Sequence, residues 1–333
     1  MIINEPLKVL SKYINTMTTI MRVNNEVNTY DESEIILVTN YDVMSEGFYD
    51  KFEELVEYTK NKNKKIYYDS TTELISEEFI EKIERYTDLS QLNIFTNGPT
   101  ETHKDRFYNL EKKGVTLFVE QYFVKYCNYY VPIKISNEKK RRCFLLLGGK
   151  SKSFRTALTG LIYHNNLEEH GHISYFGFEP HNNFSDESVF DYFMSDSPIE
   201  QKLKVKDGLH KMGGNKYLDV EGFDHQTSHT RLYDSTYYDL VDFVVIMESD
   251  IAENRVFITE KTTKCVQMNK KFILLSSCGM LEKTKEYYKK YHDLDISHLT
   301  DWCDNSYDKI TNVWDRIDTI SELIKKHIQI KLI

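Results

Sequence analysis

One feature constrains this chain more than any other. From about residue 35 onward, short apolar runs that end in turn residues alternate with longer amphipathic stretches. "EIILVTNYD" reads as a buried strand. "EGFYDKFEELVEYTKNKN" reads as a helix, with Phe48, Phe52, Leu55 and Val56 on one face at 3.6-residue spacing. "KKIYYDS", "LNIFTNG" and "VTLFVEQYF" give further strands, and "TELISEEFIEKIERYT" and "HKDRFYNLEKKG" the helices between them, the second closed by Gly114. Strands that alternate with helices build a parallel sheet covered by its own crossovers. The fold class expected is α/β. The stretch up to about Tyr30, less regular, reads as an N-terminal helix packed on a domain.

The rhythm breaks once, at the charged segment "ISNEKKRR", and then resumes. "CFLLLGG" is a strand and "KSFRTALTGLIYHNN" a helix whose Phe154, Leu158, Leu161 and Ile162 share a face. "ISYFGFE" and "YDLVDFVVIMESD" are strands, and the end of the chain, "SYDKITNVWDRIDTISELIKKHI", is helical. Residues 181–230 are polar and His-rich and read as loops and short helices. With 333 residues, and ~100–200 residues per domain, the expectation is two doubly wound, Rossmann-like domains, 1–138 and 139–333, facing each other across a cleft. Ligands of such sheets bind beyond the carboxyl ends of the strands.

Charge and cysteines narrow the function classes. The net charge of −9 gives no global sign of a polyanion partner. Cys127, Cys143, Cys265, Cys278 and Cys303 are scattered with no Cys-x-x-Cys pair, which points to reduced thiols in a cytoplasm. The N-terminal residues do not read as a secretory signal. Runs such as "LVDFVVIM" fall far short of the ~20 residues that span a bilayer, so no membrane partner is expected.

Three places could carry chemistry. In "LLLGGKSKSFRTAL" a buried strand ends in Gly148 and Gly149 and a helix begins near Ser153. Glycines let backbone approach a ligand, and helix-start amides with Lys150, Lys152 and Arg155 favour a phosphate. The turn matches neither the Walker nor the dinucleotide fingerprint, so taken alone it reads as a plain strand-to-helix turn with solvated lysines. In "VVIMESD", Glu248 ends an apolar run, placed either to accept a ribose or sugar hydroxyl or to cap a helix. In "RVFITEKTTKCVQMNKKFILLSSCGML", Thr259 can cap a helix that starts at Glu260. Glu260 suits the dipole there. Lys261 and Lys264, three apart on one face, do not, and make most sense with an anion between them. A diphosphate is the obvious one.

At these residues the chain resembles a group of phage-encoded proteins similar to GT-B glycosyltransferases. The group's pattern is Thr-Glu-Lys-Thr-aromatic-Lys-Pro, an apolar strand, and Gly-x-Leu; fucosyltransferases of that fold class carry a shorter, similar Thr-Glu-Lys. "GGKSKSFRTAL" matches its basic turn with Arg-x-Ala-Leu, and "DNSYD" at 304–308 its acidic segment. The resemblance covers about residues 142–325. Thr263 stands for the aromatic, Cys265 for the proline and Asn305 for a glutamate.

The resemblance implies a nucleotide-sugar in the C-terminal domain and no cofactor beyond that donor. Lys150, Lys152 and Arg155 would face the diphosphate, Glu260 the ribose or sugar hydroxyls, and Lys261 the phosphates; Gly149, Glu248, Thr259 and Lys264 complete the candidate donor site. The implied activity is metal-independent sugar transfer in the cytoplasm of an infected host cell. The acceptor would be a hydroxyl of a modified base in phage DNA, a glycan or a protein. An inverting transfer needs a general base from the N-terminal domain, for which Asp42, Glu46 and Glu120 are the candidates; a retaining transfer needs no such base, and the sequence leaves both open. The histidines, His164, His170 and His172 among them, lack tight ligand spacing, so no metal is expected. The "DLD" of 293–295 is a common chance pair. Two other readings compete: a non-catalytic module that keeps the nucleotide pocket in phage–host conflict, and an epimerase-like enzyme, which would want an N-terminal Gly-rich fingerprint.

Overall fold

The computed structural model describes residues 20–22, 35–39, 48–63, 65–70, 77–96, 104–119, 129–131, 141–150, 152–176, 178–179, 182–183, 187–216, 218, 231–233, 236–248, 251 and 258–332. The chain is α/β, with parallel sheets, and divides into two compact units at Lys125 and Tyr126. That boundary lies ahead of the charged "ISNEKKRR" segment.

The first unit holds strands β1 (Ile20–Arg22), β2 (Ile35–Thr39), β3 (Lys65–Ser70), β4 (Leu92–Thr96) and β5 (Thr116–Val119). Helices α1 (Phe48–Lys62), α2 (Glu77–Ile83) and α3 (Lys104–Lys112) connect them. All pairings are parallel and the spatial order is the chain order. Right-handed crossovers that always advance in one direction leave their helices on one face of the sheet. The core shows this: Ile66 and Tyr68 of β3 and Leu92 and Ile94 of β4 pack with Phe52 of α1, Phe79, Ile80 and Ile83 of α2 and Leu110 of α3. Phe79 lies 4.2 Å from Tyr68 and 5.4 Å from Phe52, ring centroid to ring centroid. The alternate residues Tyr67 and Phe95 stack on the opposite face and are buried too. Gly114, at φ 94°, closes α3 as its position predicts.

Two expectations change here. Residues 20–22, inside the stretch read as a helix, form a strand, because Ile20 to Arg22 pair in register with Ile35 to Leu37. The sheet is also not doubly wound: among the described strands its order never reverses.

The second unit is wound differently. Its main sheet contains β7 (Arg142–Lys150), β8 (Gly171–Phe176), β12 (Val241–Met247) and β13 (Phe272–Leu275), in the order β13-β12-β7-β8, all parallel. Two small pairs accompany it: β6 (Tyr129–Val131) with β11 (Arg231–Tyr233), and β9 (Phe178–Glu179) with β10 (Asn182–Asn183). The helices are α4 (Ser153–His164), α5 (Glu187–Phe193), α6 (Ile199–Met212), α7 (Thr236–Asp239), α8 (Glu260–Gln267), α9 (Met280–His292), α10 (Ser297–Thr300) and α11 (Val313–Leu332). From β7 the chain first adds β8 on one side, then β12 and β13 on the other. The direction of winding therefore reverses between β7 and β12.

Helix α4 is the hub. Every residue from Phe154 to Tyr163 is buried, well beyond the single apolar face seen in its sequence. Helix α6 crosses it at Gly160 and Gly208, where a Cβ on Gly208 would sit 1.8 Å from the Gly160 carbonyl oxygen. Such an approach requires glycine. The Gln201 amide then ties α6 to α11, donating to the Trp314 carbonyl at 2.9 Å and to Asp318 at 2.8 Å. Helix α6 is longer than the short helices expected over 181–230.

Candidate functional site

Residues at the carboxyl ends of β7 and β12, where the strand order reverses, are joined side by side: Leu147 pairs with Ile246 just before both strands end. Two residues separate the end of β7 from the start of α4, and α8 begins at Glu260. This is the position at which open α/β sheets bind ligands.

Between Leu147 and Lys150, β7 carries one residue more than β8 opposite it, a β-bulge at Gly148 and Gly149. A Cβ on Gly148 would lie 2.9 Å from the Tyr175 ring and 3.0 Å from the Ser174 carbonyl oxygen. Gly148 is thus required by the packing of the bulge itself, independently of any ligand. The bulge turns the chain toward α4. Lys152 is the N-cap of α4, in extended conformation, with no side-chain cap; the first turn holds no acid. The first amides of a twelve-residue helix therefore present their positive dipole end with no cap from the Lys152 side chain and no carboxylate in their own turn. Lys152 itself is exposed.

Arg155 faces inward. The residue is 4 % exposed, and its guanidinium donates to the Gly148 carbonyl at 3.2 Å and to the Glu248 carbonyl at 2.8 Å. One side chain thereby fastens the ends of the two strands that flank the reversal. Burial lowers its pKa, and the neighbouring Glu248 and Glu260 oppose that shift. Its place in the fold is to position the strand ends, with two carbonyls as its partners there.

Glu248 is equally occupied. The carboxylate accepts the Thr259 amide at 3.4 Å and the hydroxyls of both Thr259 and Thr262. At 1 % exposure it points into the first turn of α8. Of the two sequence readings, hydroxyl acceptor or helix cap, the geometry matches the cap. Burial pushes its carboxyl up, while Lys261 and the two threonines pull it back. Thr262 is the partner that sequence reasoning missed. Its signal is the Thr-x-x-Thr spacing, which puts two hydroxyls on one side of a helix start.

Thr259 is the N-cap of α8, as its position predicts, accepting the Lys261 amide at 3.3 Å. Glu260 and Lys261 form an ion pair at 2.7 Å, with side chains 12 % and 17 % exposed. They sit at the mouth of the reversal, close enough to act electrostatically on Arg155 and Glu248 respectively. Lys264 is buried on the same helix. Cys265, standing where the resembled group has proline, is fully buried, and burial drives its thiol well above the ordinary range.

The "DNSYD" segment serves the next helix along. Asp308 accepts the amides of Leu281 at 3.1 Å and Glu282 at 3.4 Å, so a residue distant in sequence caps α9. The buried Tyr307 hydroxyl accepts the Leu274 amide of β13. Asn305 donates to Thr300 and Asp301. The segment packs α9 onto the sheet and leaves its start closed by an internal carboxylate.

The structure thus gathers Gly149, Lys150, Lys152, Arg155, Glu248, Thr259, Glu260, Lys261 and Lys264 around the ends of β7 and β12, with Gly149 and Lys150 placed as the last two residues of β7. Asp42, Glu46 and Glu120 lie outside the described residues. His164 pairs with Asp207 at 2.6 Å, and the His172 ring meets Tyr237 edge-on. Among the described residues, no three His, Cys, Asp or Glu side chains converge on a point that could hold a metal, and no helix is long and apolar enough to cross a membrane. Compared with known proteins, the chain matches no family model, no curated protein and no solved structure.

Proposed function

We propose that this protein is a glycosyltransferase that takes a nucleoside-diphosphate sugar at the carboxyl ends of β7 and β12. One observation carries the reading: at the point where the strand order reverses, α4 opens with neither side-chain cap nor first-turn acid, beside the ion pair of Glu260 and Lys261 on α8. A diphosphate suits the amides of α4 and the ammonium groups of Lys152 and Lys261. The carboxylate of Glu260 suits the hydroxyls of a ribose or sugar. The Thr-Glu-Lys resemblance adds the reaction type.

In that reaction the bond between the sugar's anomeric carbon and the diphosphate oxygen breaks. The electron pair leaves with the diphosphate, whose growing charge the helix amides and Lys261 stabilise. An acceptor hydroxyl oxygen bonds the anomeric carbon and gives up its proton to a base. Arg155 and Glu248 do not touch the donor in this scheme. They fix the strand ends and the first turn of α8, so that the donor groups are held in place before binding. The GT-B reading assigns the acceptor to the N-terminal unit and the base to Asp42, Glu46 or Glu120. The acceptor classes are a base hydroxyl in DNA, a glycan and a protein.

The test is a thermal-shift screen of the whole chain against UDP-, GDP-, ADP-, CMP- and dTDP-sugars. A ligand at ~100 times its Kd stabilises by about 2.7 kcal/mol, a rise of several degrees. One nucleotide class should raise Tm, and Glu260→Ala and Lys261→Ala should abolish the rise while melting like the parent protein. A panel with no response, or variants that respond like the parent, refutes the assignment.

A further inference from the structure

At the opposite end of the same sheet lies a second polar site, a pocket of ≈ 220 Å³ lined by Arg141, Asp242, Lys270, Lys271, Trp302, His327 and Lys331 together with Val241 and Phe243. It sits at the amino ends of β12 and β13. Six residues of extended strand separate Asp242 from Glu248, about 20 Å at the usual rise, so this pocket is distinct from the donor site.

Its charges do not balance. Four cationic side chains face one carboxylate. Asp242 is already engaged twice, with Arg141 at 3.2 Å and with Lys331. Neither Lys270 nor Lys271 makes an ion pair with a carboxylate among the described residues. Burial holds the Lys270 ammonium below its ordinary pKa, with Arg141 adding to the shift and Asp239 and Asp242 opposing it. The C-terminal end of α11 contributes only about half a negative charge, too little to neutralise the surplus.

The wall between these cations is aromatic and carries donors. The rings of Phe243, Trp302 and His327 form a closed trio, with centroids 4.9, 4.6 and 5.4 Å apart. Lys271 lies over the Trp302 ring at 5.8 Å. The indole Nε1–H of Trp302 is buried and has no hydrogen-bond partner among the described residues. A buried donor left unpaired is costly, and this one belongs to a side chain that lines the pocket. Burial, with Lys331 and Lys271, lowers the His327 pKa, and Asp242 opposes that shift.

We propose that this pocket binds a small phosphate-class oxyanion, through Lys270, Lys271 and the indole N–H of Trp302. Size favours a phosphate or a small phosphomonoester. Pockets for drug-sized ligands run to ~300–1,000 Å³, so this one is too small for a nucleotide-sugar.

The test is a titration of the full chain with inorganic phosphate, then with glycerol phosphate, at ionic strength held constant with chloride. Tryptophan fluorescence is the readout. Saturable quenching or enhancement is expected, and it should vanish in Trp302→Phe, which keeps Trp314 as an internal reference. Lys270→Gln combined with Lys271→Gln should weaken binding at least tenfold, and Lys271→Glu should do so alone. Lys261→Ala, at the other end of the sheet, should bind phosphate in this pocket like the parent. Glycerol phosphate binding more tightly than inorganic phosphate would mark a monoester as the natural ligand; equal affinity would mark free phosphate. No saturation by either anion, or lysine variants that bind like the parent, overturns the proposal.

Discussion

The two units make parallel sheets from the same local ingredients and arrange them by different rules. In the first, each crossover advances in one direction and all three helices share one face with a single apolar core. In the second, the chain returns past β7, and the reversal leaves two strand ends side by side with two helix starts above them. The polar side chains follow that difference. Beside the reversal, Arg155, Glu248, Thr259 and Thr262 are buried and bonded to one another's backbone or side chains. In the first unit, the buried polar groups Thr59 and Asn93 each donate to a backbone carbonyl, of Val56 and of Ile66 on β3. A sheet that never reverses is all core among its described parts, whereas one that reverses must build a joint, and the joint is where a ligand can enter.

That comparison can be broken in several places. The largest effect belongs to the first core: Phe79→Ala should cost about 3–5 kcal/mol in urea unfolding and leave nucleotide-sugar affinity as it was. Weakened donor binding in that variant would contradict the separation of core from joint. Next comes the hub of the second unit. Gly208→Ala drives a methyl into the Gly160 carbonyl and should cost about 3 kcal/mol, a loss that a midpoint shift at constant m-value would register. Arg155→Met should cost about 2–3 kcal/mol by stranding two buried carbonyls. Unlike the first two, it should also weaken donor binding, because the strand ends lose their tie. A calorimetric Kd equal to that of the parent would remove Arg155 from the joint.

The smallest effect is a pH slope. Burial raises the Glu248 carboxyl above its ordinary value of 4.5, against the pull of Lys261 and the threonines. Between the unfolded and the raised folded value, the folded state holds a proton that the unfolded state has released. Stability therefore falls as pH climbs through that window and levels off above it. Glu248→Gln should flatten this part of the curve, followed by urea midpoints from about pH 4 to about pH 8. A parent curve that rises through the window would mean that the hydrogen bonds outweigh burial.

Much of this was legible in the sequence because buried parallel strands announce themselves. "FILL", "CFLLL" and "VDFVVIM" are apolar runs that hardly any other structure accommodates at that length, and Thr259 at the head of α8 is a cap by residue type alone. Strand order is another matter. Nothing local in "EIILVTNYD" or "CFLLLGG" tells whether the next strand joins to the left or the right, so the doubly wound order expected of both units is met only in the second, and the one-way winding of the first was invisible. Helix α6 was obscured because Ile199 and Leu203 lie exposed while the contact is made by Gly208, a residue that lowers helix propensity. Glu248 and Asp308 were readable as acids in suggestive places. Their partners come from helices eleven or more residues away in sequence, a distance over which no spacing rule operates.

The most direct test of the joint as a donor site is amide hydrogen exchange of the full chain, with and without the nucleotide-sugar that the thermal screen selects. The ligand should protect the starts of α4 and α8, residues 152–156 and 260–263, and leave β4 in the first unit unchanged. Protection absent from both helix starts, or concentrated in β4, would contradict the central claim that the reversal of strand order in the second unit builds the site.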